Sequence, residues 1–299
     1  MQRIRPWAIP LFTVVCLALQ AQQIPLALTT DPPPNRLHPA TMVSLGIPSH
    51  GDDLNAIMYL AAGAGPHPTV ILMHGFPGNE KNLDLAQAMR RDGWNVLYFD
   101  YRGSWGSPGV FSFEHCVEDT ETVIDFLRDP GIASELRTDR NRIVLVGHSL
   151  GGFMAAYGAA HDPSVLGIAM ISAANLGGMS DAQGDEDSAV TRLSAHFARA
   201  GMEALNGCSP QSLAAETVAH RQEWNFDDYA PVLATRPVLL ITADDGLAGH
   251  SRNFANVLRR QGNDRVTEKH FASDHSYSAV RIGLEIAVLN WLDTLTAQH

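Results

Sequence analysis

Residues 142–152 read RIVLVGHSLGG, a short apolar run that ends in glycines on both sides of Ser149. The run from Arg142 to Val146 indicates a buried strand, and the Gly- and Ala-rich stretch that begins at Leu150 indicates a helix. Gly147 and Gly151 permit a tight turn between them, because side chains at these two positions would clash. The pattern therefore predicts a strand–turn–helix unit that presents Ser149 as a nucleophile.

Similar apolar runs alternate with helical patterns along the rest of the chain. Predicted strands are 41–47 and 55–60 (a hairpin turning at 50–53), 69–73, 95–101, 142–146, 165–172, 238–242 and 265–271. Predicted helices are 79–92, 114–128, 150–160, 251–261 and 277–294. This alternation predicts an α/β fold with a mostly parallel, doubly wound sheet. Ligand chemistry is then expected at the carboxyl ends of the strands.

The stretch between Asn175 and Arg236 interrupts this alternation, since it contains no convincing strand. Residues 188–206 and 210–224 have helical patterns. We interpret about 176–230 as a small helical cap inserted over the strand ends. The alternative is a pair of ordinary surface helices.

The first 40 residues have the composition of an export signal and a leader. Arg3 and Arg5 precede the apolar residues 7–19, and Ala21 ends a small-residue cleavage site. We predict a signal peptide over 1–21, a proline-rich extended leader over 22–40 and the folded domain over 41–299. The expected location is secreted or periplasmic, without stable membrane insertion after cleavage. An uncleaved anchor and a lipoprotein are the alternatives.

Composition limits the classes of partner. The 299-residue chain has a formal net charge of -11 and no Lys/Arg-rich run, which disfavours nucleic acid and anionic membranes. It also lacks the common metal and nucleotide motifs, so no cofactor and no metal is expected. Cys116 and Cys208 would remain after signal removal, either as a disulfide or as two buried thiols, and their spacing does not decide between these.

A base and an acid for Ser149 are expected beyond later strands. His275 follows the last predicted strand, so its loop can bring the imidazole over Ser149, whereas His270 lies within that strand pattern. Asp244 and Asp245 end another strand, and either carboxylate could orient the imidazole; Asp245 is favoured.

Two backbone amides are candidates for an oxyanion hole. Leu150 begins the helix after the serine, and Phe76 lies in the glycine-containing loop from Met73 to Gly78. His74 in that loop is interpreted as a structural histidine rather than a catalyst.

These motifs together, in Ser…Asp…His order, resemble the α/β-hydrolase superfamily, specifically its dienelactone-hydrolase-like and prolyl-oligopeptidase-like branch. The loop from Tyr101 to Ser107 resembles the family's loop after the fourth strand, and the resemblance spans 41–295. It implies a Ser–His–Asp triad, an oxyanion hole from Phe76 and Leu150, and no cofactor. The Asp244-Asp245 pair departs from the family pattern, because it follows its strand more closely than the usual longer loop.

The resulting expectation is a serine hydrolase that cleaves carboxylic esters of small or medium size through an acyl-enzyme. A peptidase acting on short peptides is the alternative within the same chemistry, with Asp185, Glu186 and Asp187 as possible anchors for an amino terminus. A non-catalytic binding protein on the same fold is the alternative from another class. Five aromatic residues could line an acyl pocket or belong to the core: Phe76, Trp105, Phe111, Phe197 and Trp224.

Overall fold

The computed structural model describes residues 24–180 and 185–296, and the predicted signal peptide lies outside these ranges. Eight strands form one sheet in the order β1-β2-β4-β3-β5-β6-β7-β8. The strands are β1 Thr41–Ser49, β2 Asp52–Leu60, β3 His67–Met73, β4 Asn95–Phe99, β5 Thr138–His148, β6 Gly167–Ile171, β7 Val238–Thr242 and β8 Val266–His270. β2 pairs antiparallel with both β1 and β4, and the other neighbours pair in parallel.

Nine α-helices lie within the described ranges. They are α1 Leu83–Arg91, α2 Phe113–Arg128, α3 Pro130–Glu135, α4 Leu150–His161, α5 Leu176–Ser180, α6 Glu186–Phe197, α7 Pro210–Ala219, α8 Ala248–Arg260 and α9 Arg281–Thr296. α3 and α5 were not predicted. A sequence signal for α3 does exist, because Asp129 caps it with two backbone hydrogen bonds and Pro130 occupies its first turn.

The sheet is covered on both faces, which confirms the predicted doubly wound α/β fold. Successive strand residues point to opposite faces. Ile71 and Met73 pack in a cluster with α2 and α4, whereas Val70 and Leu72 pack in a second cluster with α1 and α9. Burial on both sides explains why these strands have continuous rather than alternating apolar sequences.

The leader is less extended than predicted. Leu26–Leu28 forms one turn of 3-10 helix, and Ala27 is buried in the cluster that contains α1 and α9. The Arg91 Nε donates a hydrogen bond of 2.6 Å to the Ala27 carbonyl. Tertiary contacts, which a proline-rich composition does not reveal, therefore hold this segment against the domain.

The carboxyl ends of the parallel strands lie on the same edge of the sheet. β5 ends at His148, β6 at Ile171 and β7 at Thr242. The described segment between β6 and β7 contains α5, α6 and α7 and no strand, and α6 packs against α7. Within residues 24–180 and 185–296, none of the helices has the length and apolarity needed to cross a bilayer.

Candidate active site

Ser149 occupies a strained backbone position between β5 and α4. Its φ of 57° and ψ of -114° are unusual for a residue with a side chain. The turn requires glycine at the neighbouring positions, because neither position has room for a Cβ atom. A Cβ on Gly147 would lie 1.9 Å from the Gly151 carbonyl oxygen, and one on Gly151 would lie 2.3 Å from the Met73 carbonyl oxygen. The glycine spacing is therefore a steric requirement of this turn.

The His275 ring is hydrogen-bonded to Asp245. His275 Nδ1 donates to Asp245 Oδ2 over 2.8 Å. Burial by itself would raise the pKa of Asp245, but hydrogen bonds from His275, Ser172 and the Leu247 amide lower it to about 2. The carboxylate is therefore ionised at neutral pH and fixes the ring so that Nε2 stays available.

Asp244 and His270, the competing candidates, are paired with each other. His270 Nε2 lies 3.2 Å from Asp244 Oδ1, and the other ring nitrogen is 2.9 Å from the Thr242 hydroxyl. The Asp244 side chain is 65% exposed, against 3% for Asp245. The two adjacent carboxylates thus point to different surroundings.

Ser149, Asp245 and His275 line one cavity of about 270 Å³. His270 does not line it. The wall also includes Leu176 and Met179 of α5 and Phe197 of α6, so the helical segment between β6 and β7 covers the serine. For this fold, a cavity at the carboxyl ends of the strands is where ligand chemistry is expected.

The two proposed oxyanion residues, Phe76 and Leu150, line the same cavity. Leu150 is the first residue of α4, so its N–H has no carbonyl partner within the helix and lies at the positive end of the helix dipole. His74 is fully buried and its Nδ1 donates to the Gly75 carbonyl over 2.7 Å. Burial lowers the pKa of His74 to about 4, which keeps the ring neutral.

Three further residues are connected by hydrogen bonds to Asp245 or His275. The sequence reasoning did not identify them. The Tyr277 hydroxyl donates to Ser172 Oγ over 2.7 Å, and the Ser172 hydroxyl in turn hydrogen-bonds Asp245. His148 Nε2 donates to the backbone carbonyl of His275 over 2.8 Å, and burial lowers the pKa of His148 to about 3. Ser172 and His148 lie at strand ends, which is the signal that could have found them.

Aromatic rings form much of the cavity wall. The Phe197 ring centroid lies 5.4 Å from that of Phe76 and 5.6 Å from that of Phe113. Phe111 and Trp224 pack behind Phe113 as buried core residues and do not line the cavity. Of the five aromatic candidates, Phe76 and Phe197 are therefore the ones that line this cavity.

Trp105 does not line the cavity but braces the loop that carries Phe76. Its Nε1 donates to the Pro77 carbonyl over 2.7 Å. A Cβ on Gly78 would lie 2.4 Å from the ring of His74 and 2.7 Å from that of Trp105. The loop is thus clamped between two rings.

Two of the three acidic residues at the start of α6 have other contacts. Asp185 caps the helix by accepting from the Ser188 amide, and Glu186 pairs with Arg221 over 2.8 Å. None of the three lines the cavity. Cys116 and Cys208 are free thiols. No group of three or more His, Cys, Asp or Glu side chains in the described part of the chain is placed to hold a metal ion.

Curated relatives share segments of this sequence. One is the uncharacterized protein YfhR of Salmonella typhimurium, which is 39% identical over 87 residues, 28% of this chain and 27% of YfhR. Another is the rat lysophosphatidylserine lipase ABHD12, which is 26% identical over 171 residues, 48% of this chain and 41% of that protein. The matched segments thus span less than half the length of these relatives.

Solved structures match over most of the chain. The Pyrococcus furiosus esterase Pf2001 superimposes with a TM-score of 0.61 at 18% identity, covering 85% of this chain and 91% of its own. Est1E of Butyrivibrio proteoclasticus, solved with ferulic acid, has a TM-score of 0.64 at 18% identity, covering 85% and 100%. The model of the alpha/beta hydrolase family matches residues 70–280. With that match and this fold, the chain belongs to the alpha/beta hydrolase family.

Proposed function

We propose that this protein hydrolyses carboxylic esters, with Ser149 as nucleophile, His275 as general base and Asp245 as the third member of the triad. The observation that carries the proposal is the 2.8 Å hydrogen bond between His275 Nδ1 and Asp245 Oδ2 beside the cavity that Ser149 also lines. A serine at a strained turn, next to a histidine that a buried carboxylate orients, is the arrangement that activates a hydroxyl group.

In the first half of the reaction, His275 Nε2 takes the Ser149 proton as the serine oxygen attacks the ester carbonyl. The negative oxygen of the tetrahedral intermediate is held by the N–H groups of Phe76 and Leu150. The intermediate collapses when His275 returns the proton to the departing alcohol, which leaves an acyl-enzyme. Water then repeats these steps and releases the acid, with Asp245 stabilising the transient imidazolium.

The size and lining of the cavity favour a small or medium apolar acyl group. Its volume is about 270 Å³, and the rings of Phe76, Phe113 and Phe197 form part of its wall. The bound state of Est1E contains ferulic acid, an aromatic acid, which fits the same class of acyl group.

Ester cleavage is favoured over aminopeptidase activity by the positions of the cap acids. In an aminopeptidase substrate the free amino terminus belongs to the acyl part, so its recognition needs a carboxylate in the cavity that holds the acyl group. Asp185 is instead a helix cap, and Glu186 pairs with Arg221. The cavity wall contributes no acidic side chain apart from Asp245, which already binds His275.

Substrate profiling tests the proposal. Purified protein is assayed with p-nitrophenyl esters of graded acyl length beside aminoacyl p-nitroanilides, and we expect ester turnover with inert anilides. Ser149→Ala should lower turnover by more than about 10³-fold and abolish labelling by a fluorophosphonate, while Ser164→Ala, at an exposed serine, should change neither. Cleavage of the anilides alone would support the peptidase, and a native protein that neither turns over nor labels would contradict the hydrolase and favour the non-catalytic alternative.

We also propose that residues 1–21 direct export and that the mature chain is secreted or periplasmic. The support is Arg3 and Arg5 ahead of the apolar residues 7–19, with Ala21 at a small-residue cleavage site. Expression of the full chain in a bacterial host, with N-terminal sequencing of the exported protein, should identify Gln22 as the first residue. A chain recovered with its original N-terminus in the cytosol would contradict this proposal.

A further inference from the structure

A second cavity also reaches Ser149 and His275. It has a volume of about 130 Å³, and its wall includes Gly75, Phe76, His148 and Ser276. It shares Asn79, Glu80 and Ser276 with a larger groove of about 540 Å³. The small cavity and this groove are together called the polar arm, and the 270 Å³ cavity is called the apolar arm. Two spaces of different chemistry therefore meet at the serine.

The groove of the polar arm is lined almost entirely by polar and charged side chains. They are Asn79, Glu80, Lys81, Asn82, Asp84, Ser276, Ser278 and Arg281, with Leu83 as the apolar exception. Asn79, Asp84 and Ser278 are exposed, so the groove continues to the protein surface. A group bound here remains in contact with water, in contrast to a group held among the phenylalanines of the apolar arm.

The polar arm is lined by two carboxylates, Glu80 and Asp84, and two cations, Lys81 and Arg281. Arg281 is bound most closely by Asp84, and its Nη1 lies 3.9 Å from Glu80 Oε2. Lys81 is engaged elsewhere, because its Nζ lies 2.9 Å from Asp100 and 4.6 Å from the Trp105 ring centre. Both cations of the groove are thus engaged by other carboxylates, Arg281 by Asp84 and Lys81 by Asp100. The formal net charge of -11 on the whole chain adds a negative potential of longer range.

Of the two carboxylates of the polar arm, Glu80 is the one that lines both the small cavity at Ser149 and the groove. Its Oε1 accepts from the Asn82 amide over 2.7 Å, which fixes the side chain. Because Arg281 is not in close contact with Glu80, the Oε2 atom of Glu80 has no short ion pair. A fixed and partly shielded carboxylate of this kind can stabilise a cation that enters from solvent.

An ester has two substituents that diverge from its carbonyl carbon, the acyl group and the alkoxy group. We propose, on the basis of the ester hydrolysis proposed above, that the apolar arm holds the acyl group and that the polar arm binds a positively charged alcohol, with Glu80 as its counter-ion. The released alcohol then departs through the groove to solvent, while the acyl group stays shielded. The substrate class is an acyl ester of an amino or ammonium alcohol.

Two esters of matched shape test the charge selection. Butyrylcholine carries a quaternary ammonium group, and 3,3-dimethylbutyl butyrate has the same shape with carbon in place of nitrogen. We expect kcat/KM to be about threefold to fivefold higher for butyrylcholine, the size of an ion pair that is partly exposed. In Glu80→Gln this ratio should fall to about one, with kcat/KM for the neutral ester within about twofold of the wild type, which also shows that the variant is folded. Glu135→Gln, at an exposed carboxylate far from both arms, should keep the wild-type ratio.

The outcomes separate this inference from the proposed ester hydrolysis. Equal rates for the two esters, or a preference that Glu80→Gln leaves unchanged, would overturn the charge selection and leave ester hydrolysis standing. Failure to hydrolyse either butyrate and every p-nitrophenyl ester would overturn both. A preference that decreases between 20 mM and 500 mM salt would support the ionic origin, since screening weakens an exposed charge pair.

Discussion

Asp244 and Asp245 are adjacent in the sequence but have different surroundings in the structure. Asp245 is shielded and accepts hydrogen bonds from His275 and the Leu247 amide, whereas Asp244 is exposed beside His270. We expect Asp245→Asn to lower kcat on a p-nitrophenyl ester by about 10³–10⁴-fold, because the imidazolium loses its counter-charge. Asp244→Asn should stay within about twofold, and a larger loss at Asp244 would reverse the assignment.

The lowered pKa of Asp245 also predicts a pH dependence of stability. A carboxylate whose pKa is about 2 in the folded state and 3.8 in its unperturbed state stabilises the fold at every pH above the unperturbed value. This contribution is lost as the pH falls through about 2. The difference in free energy of unfolding between wild type and Asp245→Asn should therefore be constant above about pH 5 and shrink progressively towards pH 2 in urea titrations. A difference that grows on acidification would contradict the prediction.

At the scale of the elements, the β5–α4 turn depends on glycine at position 147. An added Cβ would meet backbone atoms of Gly151 and Gly152 rather than a flexible side chain, so the turn itself must move. We expect Gly147→Ala to cost about 3 kcal/mol of stability and to abolish fluorophosphonate labelling.

A matched control for that substitution exists in α8. A Cβ on Gly249 would meet nothing within 4 Å, and this exposed helical position should tolerate alanine or gain up to about 1 kcal/mol. Chemical denaturation of both variants checks the comparison. Equal stability changes would show that the close approach at Gly147 is not a constraint.

The helix α6 limits the apolar arm through Phe197. This ring is buried between Phe76 and Phe113, so its removal enlarges the cavity and loses packing. We expect Phe197→Ala to destabilise the protein by about 3 kcal/mol and to shift the preferred p-nitrophenyl ester to a longer acyl chain. His196→Ala, at the exposed neighbouring residue that also lines the cavity, should leave stability unchanged. An unaltered length preference in Phe197→Ala would contradict this.

At the scale of the whole molecule, charge controls solubility. The chain carries a formal net charge of -11 at pH 7, and the sequence predicts an isoelectric point near 5.5. Repulsion between molecules vanishes at that pH, so we expect a solubility minimum near pH 5.5 and clear solutions at pH 7.5. Light scattering of the folded protein across this range provides the measurement. A minimum above pH 7 would show that the folded surface does not follow the sequence charge.

The sequence alone determined the turn around Ser149 and the order in which the candidate serine, aspartate and histidine follow their strands along the chain. Those features are local: apolar runs define strands, and the glycines at 147 and 151 are needed within one turn. The predicted boundaries of the β7 strand and of the opening hairpin are close to the observed ones for the same reason. Short helices such as α5, which has five residues, have too little pattern to be predicted.

The tertiary structure decided which side chains meet. His275 and Asp245 are 30 positions apart, Ser172 and Tyr277 are 105 apart, and His148 and His275 are 127 apart. Each of these hydrogen bonds depends on loops that leave different strands at one edge of the sheet, so no local pattern encodes them. The same packing selects Asp245 over its neighbour and creates two arms of opposite polarity at one serine. Steric requirements within one turn can be read from the sequence. Contacts between distant segments form only when the sheet has brought the carboxyl ends of its strands together.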